Sequence, residues 1–103
     1  MSVNPLNVYV FTSAALIVIG LYGIAVKRNM IKTVISIEII TAGVNLNFLA
    51  LTVGTSFFTL AQYFVIVSIA LGAAVASIAL SMVIQAYRHY GSIDLRKLSR
   101  LRW

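Results

Sequence analysis

The sequence predicts an all-α integral membrane protein: three transmembrane helices forming a single membrane domain over residues 1–103. Three observations carry this reading. Hydrophobic residues make up 61% of the chain and charged residues only 10%, where a soluble domain carries about 25% charged residues. A soluble chain this short leaves much of its surface in water and could not hide so much apolar area. Finally, the apolar residues fall in three long stretches with short polar links between them.

The first stretch, Leu6 to Val26, carries no charge, and its roughly 20 residues suffice to cross a hydrocarbon core of about 30 Å. No basic residue precedes it, so it lacks the charged start of a signal peptide and is expected to remain in the mature protein. The second stretch runs over about residues 30–53 and is interrupted by Glu38, Asn45 and Asn47. Such a helix is expected to pack inside protein rather than face lipid. The third, about residues 57–87, is longer than a span requires and is expected to tilt, kink or start among the headgroups. Small residues fill its middle (Ser68, Ala70, Gly72, Ala73, Ala74, Ala76, Ser77), as they do where membrane helices approach closely.

The links "KRNMIK" and "GTSF" are short, so neighbouring helices are antiparallel. The formal charge of +6 is concentrated in two places: Lys27, Arg28 and Lys32, and a basic tail over 88–103 with Arg88, Arg96, Lys97, Arg100 and Arg102. Three crossings put both clusters on one side. The positive-inside rule then places the N-terminus outside and the C-terminus in the cytoplasm or its equivalent. A tail arranged this way fits anionic lipid or an acidic partner surface, and no nucleic acid is expected as a partner.

Glu38 is the residue most able to carry chemistry. It lies six residues past Lys32, on the order of 9 Å deeper along a helix rising 1.5 Å per residue. A charged side chain near the bilayer centre costs about 2.5–3.5 kcal/mol on insertion scales, so such residues are rare and tend to mark ion pathways or proton relays. The competing reading is a hydrogen bond or ion pair that only fixes helix packing. Thr41, Ala42 and Asn45 share the Glu38 face at helical spacing. Thr41 and Asn45 could support a short proton path, and equally could form an interhelical hydrogen-bond seam. Ser77, Ser81 and Gln85 form a second polar stripe without an ionisable group, which reads as a packing seam. His89, between Tyr87 and Tyr90, is expected to anchor at the interface and is a weaker candidate for the place where a proton enters.

The chain has no cysteine and one histidine, and it contains neither a phosphate-binding glycine loop nor a nucleophile–base pair. Neither a metal site nor a catalytic site of its own is expected, and no nicotinamide, flavin, haem or iron–sulfur cofactor is expected in this chain.

The segment "GLYGIAVKRNMIKTVISIEIITAGVNLNFLAL" resembles the smallest core membrane subunit of respiratory complex I, called NuoK in bacteria, ND-4L in mitochondria and NdhE in cyanobacteria and chloroplasts. The matching residues are Gly20 and Gly23 near the end of the first helix, Arg28 and Asn29 at the turn, Ile37 and Glu38 in the second helix, then Val44, Asn45 and Leu46. The ending "YRHYGSIDLRKLSRLRW" is similar to the family's tail. The resemblance implies a non-redox subunit of an NADH- or ferredoxin-linked, quinone-reducing and proton- or sodium-translocating oxidoreductase. It implies larger antiporter-like and quinone-side membrane subunits as partners, and a place in the cell inner membrane or an organellar or thylakoid membrane. It assigns to Glu38 a role in proton translocation. The family also has a buried glutamate on the third helix, and the equivalent position, counted from Gln62, holds Val75. That departure leaves open the relatives with the same membrane module: membrane-bound hydrogenases, sulfur reductases and Mrp-type antiporters. A reading of another class, a small self-contained multidrug exporter, would place its glutamate in the first of four helices.

Overall fold

The structure, a computed structural model, describes residues 4–26 and 29–90, with side chains through Arg88. All of its regular structure is helical: α1 (Pro5–Val26), α2 (Met30–Thr52) and α3 (Phe58–Tyr90). All three are long and apolar enough to cross a membrane. Lys27, Arg28 and the tail beyond Tyr90 fall outside the described residues, and so do the charge-based expectations that rest on them.

Local chemistry sets the helix ends. The Asn4 side-chain oxygen accepts from the Leu6 amide at 3.0 Å, and Pro5 takes the first helical position, where its missing N–H costs nothing. Asn29 caps α2, its side-chain oxygen accepting from the amides of Ile31 at 2.9 Å and Lys32 at 3.3 Å. The α2–α3 turn is closed by Gly54 at φ +81°, a left-handed conformation that disfavours any Cβ. Next to it the Thr55 hydroxyl donates to the Thr52 carbonyl at 2.7 Å. The third helix continues beyond the expected residue 87 to Tyr90, because nothing in "RHY" breaks a helix. At 33 residues it measures about 50 Å, well beyond a hydrocarbon core.

The three helices form a row, with α2 in the middle. It packs most extensively on α1 and also against α3, while α1 and α3 hardly touch. The molecule is correspondingly flat, 54 × 30 × 19 Å. One face of α2 turns Ser36, Gly43 and Ala50, all buried, towards α1. Glu38 follows Ser36 by two residues, about 200° around the helix, and so faces α3.

The α1–α2 contact is close because glycines line it from both sides. A Cβ on Gly43 would stand 2.9 Å from the Ser13 carbonyl oxygen and 3.1 Å from the Leu16 Cβ. A Cβ on Gly20 would stand 2.8 Å from the Ser36 carbonyl oxygen, and one on Gly23 would meet the Ser36 hydroxyl. The Ser13 hydroxyl, itself buried, reaches Asn47 across the seam at 3.4 Å. Small residues thus bring two membrane helices into backbone contact, where dispersion and weak polar contacts hold them.

On α3 the α2-facing side is Ala61, Val65, Ser68, Gly72, Ala76 and Val83, all buried or half-buried. Ser77, Ser81 and Gln85 lie on the opposite side and are exposed, so the packing seam expected of them is not made with α1 or α2. The Ser77 and Ser81 hydroxyls instead donate to their own helix, at Ala73 and Ser77 carbonyls 2.8 and 2.9 Å away.

Candidate functional site

The site forms where α3 crosses the Glu38 face of α2. Glu38, Thr41, Ala42 and Asn45 from α2 join Ser68, Ile69 and Ala73 from α3 around a cleft of about 220 Å³. At Gly72 a Cβ would stand 3.5 Å from each carboxylate oxygen of Glu38 and 3.9 Å from the carboxyl carbon, so the acid points its two oxygens at the α3 backbone there. A larger residue would displace it.

Glu38 is half-buried rather than enclosed, because a flat row of three helices has no interior to bury it in. Its spacing partners are where the helical period put them: Thr41 and Asn45 line the same cleft, both half-buried. The Thr41 hydroxyl donates to the Ile37 carbonyl at 3.0 Å, which leaves its oxygen free to accept from a guest in the cleft. Among the described residues, Glu38, Asn45 and Ser68 make no side-chain hydrogen bond, and no unpartnered side-chain polar atom is sealed from the surface. The cleft therefore presents a carboxyl, two hydroxyls and an amide with capacity to spare.

Sequence reasoning missed the part that α3 plays. Ser68 and Gly72 stood only among the small residues of that helix. Their four-residue spacing on the Ala61–Val65 face was the available signal, but nothing local pairs that face with Glu38. Val75, one turn beyond Gly72, is 64% exposed and does not line the cleft. The backbone of His89 belongs to α3, while its side chain lies outside the described residues.

The fold defines a class of protein: a flat chain of three membrane-length helices, with Glu38 in a cleft shared with Thr41, Asn45 and Ser68. Its broad faces are left to lipid or neighbouring chains; Phe11 is 74% and Tyr22 66% exposed. Over residues 8–103 the chain matches the family described as NADH-ubiquinone/plastoquinone oxidoreductase chain 4L, and it belongs to that family. It is 36% identical over 99 residues to NAD(P)H-quinone oxidoreductase subunit 4L of Synechococcus sp. (strain JA-3-3Ab), covering 95% of this chain and 97% of that one. It is 33% identical over 103 residues to NADH-quinone oxidoreductase subunit K 1 of Syntrophobacter fumaroxidans, covering 96% and 98%. With subunit K of Flavobacterium johnsoniae the identity is 35% over 94 residues, covering 91% and 88%.

Proposed function

We propose that this chain is a small membrane subunit of a complex-I-like NADH- or NAD(P)H-linked quinone oxidoreductase, and that Glu38 relays protons during ion translocation. Family membership supports the first part. The observation that carries the second is the cleft: an intramembrane carboxyl facing two hydroxyls and an amide across α2 and α3. Glu38 accepts no hydrogen bond among the described residues, which leaves its carboxyl available to water or to a neighbouring subunit. Thr41, Asn45 and Ser68 would then hold the water through which Glu38 exchanges its proton.

In this reading the chain contributes no redox chemistry and binds no cofactor; electrons pass through other subunits. Its flat faces pack against larger antiporter-like and quinone-side subunits, in a cell inner membrane or its organellar or thylakoid counterpart. The basic residues at 27–32 and 88–102 orient it with the N-terminus outside. Charges that respond to Glu38 belong to neighbouring subunits, because α1, α2 and α3 offer it no second acid.

The test is Glu38→Gln, which keeps the shape and removes the titration. The complex should assemble in normal amount, and proton pumping per electron transferred should fall severely in proteoliposomes. Unchanged pumping would overturn the relay.

A further inference from the structure

The glycines of this chain serve two different ends. Gly20 and Gly43 let backbone meet backbone: a Cβ at either would stand 2.8 or 2.9 Å from a carbonyl oxygen of the facing helix. At Gly72 no such reason exists. The three atoms nearest to its Cβ position all belong to the Glu38 carboxyl, the two oxygens at 3.5 Å and the carbon at 3.9 Å. Alanine would fit there at ordinary contact distance. Glycine inside a helix is destabilising relative to alanine, and Gly72 lies well within α3. Helix packing therefore does not account for the bare backbone at this position, and the one group that uses the space is the acid.

We propose that Gly72 is a positioning residue for Glu38: the bare stretch of α3 is the seat that holds the carboxyl at the α2–α3 contact. The seat matters because Glu38 accepts no hydrogen bond among the described residues, so no polar partner there fixes its direction. Shape does it instead. Both oxygens stand equally far from the Gly72 Cβ position, so the carboxyl meets α3 squarely. This role rests on the relay function of Glu38 and names what aims it. A branched side chain at position 72 would put carbon one bond, about 1.5 Å, further out than a Cβ, into the space the carboxyl fills. The acid would then have to leave its seat.

The test is a size swap in the assembled complex, reconstituted in proteoliposomes, with the rate of proton pumping and the amount of complex read together. Gly72→Val should slow pumping on the order of a hundredfold, the loss that a misplacement of about 1 Å brings to a group in proton transfer. Gly72→Ala should fall between Gly72→Val and the parent. Ala79→Val places its methyl groups on the same side of α3, into a groove of about 330 Å³ away from Glu38, and should pump at the parent rate. Glu38→Asp draws the carboxyl back by one methylene, so Glu38→Asp combined with Gly72→Val should pump faster than Gly72→Val alone. Parent-like pumping in Gly72→Val, an equal loss in Ala79→Val, or no gain on adding Glu38→Asp overturns the positioning role. Should Gly72→Val hold back assembly, the combined variant decides by the amount of complex formed: recovery supports a clash with the carboxyl, and no recovery overturns it. Glu38→Gln separates this role from the relay itself. If Glu38→Gln stops pumping while Gly72→Val does not slow it, the relay stands and the seat is wrong. If Glu38→Gln pumps normally, the relay fails and the positioning role falls with it.

Discussion

Replacing Gly43 by alanine should loosen α1 from α2. A Cβ at position 43 would stand 2.9 Å from the Ser13 carbonyl oxygen, 2.9 Å from the Ile17 Cγ1 and 3.1 Å from the Leu16 Cβ. The Ile17 side chain can turn away. The Ser13 carbonyl cannot, because it is backbone inside α1, so the helices themselves must part by about half an ångström to restore ordinary contact. Overpacking of this kind costs about 1–3 kcal/mol. That is about a 5- to 150-fold shift between docked and undocked helices. The shift falls on a seam whose one polar link, Ser13 to Asn47, is long at 3.4 Å and adds little to hold it. The control is Gly72→Ala, whose Cβ would meet only the Glu38 carboxylate at 3.5 Å, an ordinary contact. The assay is retention of this subunit in the purified complex as temperature rises, read on native gels. Gly43→Ala should be released at lower temperature than the parent and Gly72→Ala near the parent temperature. Equal retention of the two variants would refute the backbone-contact argument.

Two other positions give sharp outcomes. Asn29→Ala removes the one cap acceptor, and with it both hydrogen bonds at the start of α2, and should destabilise that end by about 0.5–2 kcal/mol, read as faster amide exchange at Ile31 and Lys32; unchanged exchange would show that water replaces the cap. Gly54→Val puts a β-branched residue at φ +81°, and the left-handed penalty of about 1–2 kcal/mol should lower subunit incorporation, with Gly54→Asn intermediate. Equal incorporation of both variants would mean that the turn refolds around the substitution.

How much of this was legible beforehand can be judged residue by residue. Glu38, Thr41 and Asn45 share a stripe by helical spacing alone, and the structure lines one cleft with them. Ser68 and Gly72 complete that cleft from another helix, and no local pattern announces such a pairing. The stripe of Ser77, Ser81 and Gln85 meets the same limit: the sequence shows that a polar stripe exists, not which way it turns. It faces away from α2, towards whatever covers that side of α3.

The sequence by itself determined the number of spans, the class of protein and the one acid within the membrane core. Those follow from length, hydropathy and the cost of charge in lipid, which are properties of each segment alone. The tertiary structure decided that the helices stand in a row and that opposite faces of α2 serve opposite neighbours. It also decided that Glu38 shares a cleft with Thr41, Asn45 and Ser68. The physical reason is that α2 carries small or polar residues on both faces: Ser36, Gly43 and Asn47 on one, Glu38, Thr41 and Asn45 on the other. Periodicity marks such a helix as packed on both sides. Only the fit of glycine against backbone on one side, and of the carboxyl against Gly72 on the other, assigns each face its partner.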